Sequence, residues 1–190
     1  QRCRGDALHP DLLGTGGGNF AARTVYQATG TGGYRGVTVA DFDGDGQLDI
    51  GTTSDGYVSI FRGFGNGKFN STEKLYPGAM TARTMLAGDF NGDGAADLLV
   101  GSSLMLNRGN GTFASASNLS VSGDLVASGD FNGDGILDVA VSAYATGTMN
   151  VLLGRGNGTF GAAVSYADFG TASILCGDFN GDGATDLVTS

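Results

Sequence analysis

Asp41-Phe42-Asp43-Gly44-Asp45-Gly46-Gln47-Leu48-Asp49 returns three more times along the chain, at Asp89 to Asp97, Asp130 to Asp138 and Asp178 to Asp186. All copies fit D-F-[DN]-G-D-G-x-x-D, and their starts lie 48, 41 and 48 residues apart. A second string alternates with the first: Gly65-Asn66-Gly67-Lys68-Phe69, Gly109-Asn110-Gly111-Thr112-Phe113 and Gly156-Asn157-Gly158-Thr159-Phe160. A weaker copy stands upstream as Gly16-Gly17-Gly18-Asn19-Phe20. Two independent motifs in strict alternation define an internal repeat, and the fold must be built from that unit.

The residues around the motifs are strand-like. Val37 to Ala40 leads into the first acidic string and Leu48 to Thr52 leads out of it. Tyr57 to Phe61 follows, then the Asn-Gly turn, then a stretch ending near Tyr76. Asn-Gly between apolar runs predicts a hairpin, because both turn residues can take positive φ. Leu98-Leu99-Val100 and Val151-Leu152-Leu153 are apolar on both faces, as expected of a small sheet covered on both sides. About four short strands per period of ~40 to 50 residues predict an all-β fold, a β-propeller of four-stranded blades.

The expected domain layout is an N-terminal tail over residues 1–10 and repeats over 11–190. The given sequence opens at Gln1 rather than Met, which fits a processed or truncated start. The repeats begin with the second half of a unit (Leu12 to about Tyr26) and finish with a first half (about Ser173 to Thr189). That leaves three arrangements open: a closed four-blade ring, half of a larger ring shared by a homodimer, or a fragment of a seven-blade ring.

The acidic strings carry the chemistry. Positions 1, 3, 5 and 9 supply oxygen side chains: Asp41, Asp43, Asp45 and Asp49; Asp89, Asn91, Asp93 and Asp97; Asp130, Asn132, Asp134 and Asp138; Asp178, Asn180, Asp182 and Asp186. Alternate spacing on a tight loop turns the odd side chains inward, and Gly at positions 4 and 6 permits the bend. Carboxylates crowded this way repel one another unless a cation sits between them. An all-oxygen set without His or Cys suits Ca²⁺ rather than Zn²⁺. The backbone carbonyls of Gln47, Ala95, Ile136 and Ala184 at position 7 would complete each ligand set. One Asp-Gly-Asp-Gly is read as well by a turn as by a metal. Four copies, each acidic at position 9, favour about four Ca²⁺, one per loop. The loop is not an EF-hand, since position 12 holds Thr52, Val100, Val141 and Thr189 instead of Glu.

Charge placement agrees. Thirteen of the 19 acidic residues lie in the four loops, and the rest of the chain holds 6 acids against 10 bases. Four divalent cations would bring the formal charge from −9 to −1. No basic stripe exists to meet phosphates, which argues against nucleic acid. No run approaches the ~20 apolar residues of a membrane helix, which argues against membrane insertion. The 36 Gly sit in a chain that is 41% hydrophobic, a composition of many short strands and tight turns rather than of disorder.

Together the D-F-[DN]-G-D-G-x-x-D loop and the Gly-Asn-Gly-Thr-Phe turn resemble the FG-GAP/VCBS repeat of integrin α-subunit heads, fungal lectins and many secreted bacterial proteins. The resemblance covers about Leu12 to Ser190. It implies propeller blades, usually seven to a ring, and a β-hairpin loop that holds Ca²⁺ through the positions just named. Four repeats rather than seven is the departure from that pattern.

Other features carry less. His9 is the only histidine, so a His-based triad is not expected, and carboxylates copied once per unit do not read as an active site. Cys3 and Cys176 are the only cysteines. Cys176 aligns with Val39, Ala87 and Ser128 as a small inner-strand residue, and a disulfide to Cys3 is the alternative. Arg4-Gly5-Asp6 and the sequons at Asn70, Asn110, Asn118 and Asn157 are short enough to arise by chance or by turn geometry. Tyr26, Tyr76 and Tyr166 recur six or seven residues after the turn Phe and are expected in the repeat core. Tyr34, Tyr57 and Tyr144 are less regular and better suited to an exposed binding platform. The expected function is a calcium-stabilised extracellular binding or adhesion module with a protein or glycan partner, and no enzyme. The alternatives are a carbohydrate-binding lectin and the accessory domain of a larger secreted enzyme.

Overall fold

A strand with apolar residues on both faces needs a sheet packed against each face, and the chain meets that need by stacking small sheets side by side. The computed structural model describes residues 7–11, 13–22, 24–28, 36–54, 56–70, 74–77, 82–167 and 173–190, which form strands and turns with no helix among them. Strand β1 (Ala7–Asp11) pairs antiparallel with β4 (Thr24–Ala28), His9 opposite Tyr26, and the short β2 (Gly14–Gly16) and β3 (Asn19–Phe20) extend that hairpin. The tail expected over residues 1–10 therefore ends earlier. Residues 7–10 belong to β1, because Thr24–Ala28 finds its antiparallel partner upstream of the glycine turn. Residues 1–6, with Cys3 and Arg4-Gly5-Asp6, lie outside the described residues, as does Tyr34.

Three complete four-stranded antiparallel sheets follow. The first contains β5 (Val37–Ala40), β6 (Asp49–Ser54), β7 (Tyr57–Phe61) and β8 (Lys74–Pro77), the second β9 (Met85–Gly88), β10 (Asp97–Val100), β11 (Ser103–Met105) and β12 (Ser117–Asn118). The third contains β13 (Leu125–Gly129), β14 (Asp138–Ala143), β15 (Thr148–Leu152) and β16 (Val164–Ala167). Strands β17 (Ile174–Gly177) and β18 (Asp186–Thr189) make a final pair. These sheets are blades of a β-propeller, and their inner strands β5, β9, β13 and β17 pack in that order. The half-blades β17–β18 and β1–β4 are separate two-stranded sheets among the described residues. Among the described residues these two half-blades do not pair with each other.

Alternation along one strand explains the core. Leu98 and Val100 point into a cluster shared with the first blade, alongside Phe42, Val58, Ile60 and Met85. Leu99, between them, points into a cluster shared with the third blade, alongside Val126, Val139, Val141 and Leu152. All three are essentially fully buried. At about 25 cal/mol per Å² of apolar surface, fully burying each such side chain is worth roughly 1.5–3 kcal/mol, so the blades hold one another in place.

The Gly-Asn-Gly turns differ from the expectation. Positive φ falls on the flanking glycines, Gly65 at 68° and Gly67 at 74°, and on no Asn. Asn66 Oδ1 instead accepts from Lys68 N at 3.1 Å, and Asn110 and Asn157 accept from the amides of Thr112 and Thr159 in the same way. An Asx turn stabilises the bend, so Asn is needed for its side-chain oxygen rather than for a left-handed backbone. Tyr26 is half-buried edge-on against Phe69, centroids 5.5 Å apart, as a core residue should be. Tyr166 is not: it stands 52% exposed on β16, the outer strand of the last complete blade.

Candidate metal centre

Each acidic loop is closed by its own first carboxylate. Asp41 Oδ1 accepts from Gly44 N at 2.8 Å and Asp45 N at 3.2 Å, and its Oδ2 accepts from Gly46 N at 2.7 Å. Gly44 and Gly46 turn their amides inward at φ of 77° and 83°, a region that L side chains rarely enter. Asp89, Asp130 and Asp178 bind the corresponding amides in the other loops. For Asp130 and Asp178 these backbone hydrogen bonds, led by Gly135 and Gly183 respectively, hold the carboxyl below its ordinary range. For Asp89 burial pulls the other way, but the bonds from Gly94, Gly92, Asp93 and Asn91 together outweigh it and the shift is downward.

Position 9 turns out to be a buried strut. Asp49, Asp97 and Asp138 are at most 1% exposed. Asp49 Oδ2 accepts from Phe42 N at 3.0 Å, and its Oδ1 accepts from Gly63 N at 2.8 Å just past β7. Asp97 does the same between Phe90 N and Asn107 N, and Asp138 between Phe131 N and Gly154 N. Burial pushes Asp49 and Asp97 up despite those bonds. Asp186 accepts from Phe179 N at 3.0 Å and has no second such partner among the described residues.

Positions 3 and 5 show how each loop manages like charge. In the loops with Asn at position 3, its amide donates to the position-5 carboxylate: Asn91 to Asp93 at 2.9 Å, Asn132 to Asp134 at 2.9 Å, Asn180 to Asp182 at 3.0 Å. The first loop has Asp43 there, and Arg62 supplies the donor. Its Nε lies 2.8 Å from Asp43 Oδ2 and its Nη2 2.7 Å from Asp45 Oδ2. The Arg62 hydrogen bond is the main cause holding Asp45 below its ordinary value. Four carboxylates with one guanidinium, or three carboxylates with one Asn, leave each loop at the same net charge. Position 7 enters through its amide: Gln47, Ala95, Ile136 and Ala184 each donate to the position-5 carboxylate of their own loop, at 2.8 to 2.9 Å.

These residues fit Ca²⁺. Among the described residues, one set of three carboxylates has oxygens all within 4.8 Å of one another: Asp41, Asp43 and Asp49. A cation bound at about 2.3–2.6 Å can bridge two oxygens up to roughly 5 Å apart. The donors are hard oxygens, and Asp41 Oδ2, Asp43 Oδ1 and both oxygens of Asp49 each accept one backbone bond, which leaves each a lone pair for a cation. Asp41, Asp43 and Asp49 would hold the ion in the first loop, and bound calcium would supply a positive charge that relieves repulsion and pins the loop. Sequence reasoning found all these positions but missed Arg62 and the strut role of position 9. The one signal for Arg62 was that the loop with an extra Asp is followed by a cation thirteen residues on.

The comparisons with known proteins agree with the architecture. The family model described as FG-GAP-like repeat matches residues 12–52, 46–100 and 130–189. The comparison with curated proteins finds no match. Among solved structures, the chain is similar to an Agrocybe aegerita lectin described as specifically recognising non-reducing terminal N-acetylglucosamine. The TM-score is 0.67 at 24% identity, over 95% of this chain and 54% of the lectin chain. This chain therefore spans about half the length of that structure, and the likeness is one of fold.

Proposed function

The chain belongs to the FG-GAP-like repeat family, and on that premise we propose that it is a calcium-stabilised binding module acting outside the cell, with a glycan as its ligand class. The observation that carries the calcium part is the convergence of Asp41, Asp43 and Asp49 in a loop whose backbone scheme recurs in every blade. A loop that spends both oxygens of its first carboxylate on its own amides is built before any ion arrives, which lowers the ordering cost of binding one. The lectin that shares the fold supports the glycan part. Carboxylates repeated once per blade, each closing its own loop's backbone, support a binding role over a catalytic one, since an active site is rarely copied once per structural unit.

A glycan array run on the full chain in millimolar calcium, and again in chelator, tests the reading. The expected result is binding to a defined set of terminal sugars that weakens when calcium is removed. Binding to no glycan under either condition would remove the ligand assignment.

A further inference from the structure

Tyr144 stands 63% exposed in the turn between β14 and β15, where it lines a cavity of ≈ 380 Å³ with Val121, Asp124, Thr146, Thr148 and Asn150. The cavity lies at the end of the third blade away from its acidic loop, because β14 leaves that loop at Asp138 and reaches the turn at Ala143. The walls are preorganised. Asp124 O accepts from Arg83 N at 3.2 Å, Thr84 N at 3.3 Å and Thr84 Oγ1 at 3.1 Å, and Asp124 N donates to Ser142 O at 3.1 Å. Its backbone is clamped between two blades, while its exposed carboxylate has no partner among the described residues. Asn150 is 8% exposed and its Oδ1 accepts from Ser165 Oγ at 2.7 Å. That bond fixes the amide and leaves Nδ2 a donor with no protein acceptor among the described residues. Nδ2 is not one of the fully buried polar atoms without a partner, so it stands open to solvent at the cavity and can donate to a ligand.

We propose that this cavity is a glycan subsite that takes one neutral pyranose ring. The inference rests on the glycan reading above and gives it a location. A pyranose has an apolar face of axial C–H groups, which stacks on a phenol ring, and an equatorial rim of hydroxyls. The Asp124 carboxylate accepts from two neighbouring hydroxyls, and Asn150 Nδ2 donates to a ring-substituent oxygen such as an acetamido carbonyl. Ligand cavities run from about 300 to 1,000 Å³, so this one suits a single ring rather than an oligosaccharide. One carboxylate and no cation among the lining residues favours a neutral sugar over an acidic one. Among the described residues, the third blade carries the most exposed aromatic of these turns. The corresponding turn of the second blade is the tight Val100–Ser103 connection without an aromatic, and Tyr57 of the first is 38% exposed.

The test uses the full chain in calcium, with N-acetylglucosamine titrated by saturation-transfer NMR and a glycan array run in parallel. Binding should fall about tenfold or more in Tyr144→Ala, and stay within about threefold in Tyr144→Phe, which keeps the ring. Asp124→Asn should weaken binding with melting temperature and calcium content unchanged, so a folding defect cannot imitate the result. If the wild type binds a sugar and both Tyr144→Ala and Asp124→Asn bind it equally well, the location is wrong and the glycan reading stands. If the wild type binds neither N-acetylglucosamine nor any array glycan, location and reading fall together.

Discussion

Phe42, second residue of the first acidic loop, packs its ring against Phe113 of the following blade's glycine turn, centroids 5.7 Å apart and planes at 67°. The backbone follows the ring: Phe42 O accepts from Asn107 Nδ2 at 2.8 Å. One blade further on, Phe90 meets Phe160 at 6.3 Å and Phe90 O accepts from Gly158 N at 2.9 Å. The two repeated motifs are thus the two halves of one joint between successive blades. The acidic loop offers a Phe and a carbonyl, and the next glycine turn receives them. In the last half-blade the same Phe, Phe179, is 62% exposed.

The joint predicts an asymmetry along the repeat. Phe113→Ala removes a ring that is 6% exposed and should cost about 3–5 kcal/mol in urea unfolding. Phe179→Ala removes the same residue type from an exposed position and should change stability by no more than about 0.5 kcal/mol. Equal losses would mean that the joint does not carry the packing.

Position 9 should separate from the other loop positions. Asp97→Ala orphans the buried amides of Phe90 and Asn107 and should cost roughly 3–5 kcal/mol with or without calcium, by denaturant titration in each condition. Asp97→Asn should also destabilise, since its NH₂ would face one of those donors. Asp93→Ala, at an exposed position, should instead weaken calcium binding and leave chelated stability nearly unchanged.

These roles show where sequence reading reaches and where it stops. Val37–Ala40 and Tyr57–Phe61 were legible to the residue, because the acidic and glycine motifs bracket them and their composition suits a covered sheet. The loop positions were legible because spacing on a tight bend fixes which side chains turn inward. Strand β1 was not, since Ala7–Asp11 contains Pro10 and reads as a tail until its partner Thr24–Ala28 is known. Asp49 as a strut and Asp124 beside Tyr144 depend on contacts between strands or blades that no local pattern encodes, and Arg62 as a counter-charge was signalled only by the extra Asp of its loop. Tyr166 misled because its repeat position is core only where another blade covers it.

Arg62 predicts a difference between loops. It occupies the first loop's charge with a guanidinium that the others lack, so a cation entering there competes with it. Arg62→Leu should tighten calcium at the first loop by roughly fivefold, the scale of an exposed ion pair, and the gain should shrink in high salt. Isothermal titration showing weaker binding in the variant would reverse the assignment of Arg62 as a competitor.

Each blade builds its loop from its own backbone, so single-ligand changes should stay local. Asp134 makes its hydrogen bonds to Asn132 and Ile136 inside the third loop. Asp134→Ala should lower the calcium stoichiometry by one and leave the remaining affinities within about twofold. Loss of every site together would mean that the loops act as one cooperative unit.

Calcium-dependent melting of the full chain tests the central claim most directly, with stoichiometry taken from the matching titration. About four Ca²⁺ should bind. At free calcium ~10-fold above Kd each site adds about 1.4 kcal/mol and four add roughly 6, comparable to the ~5–15 kcal/mol stability of an ordinary domain. The melting temperature should therefore rise steeply with calcium and fall back when chelator is added. A melting curve that does not move between chelator and millimolar calcium would contradict the account.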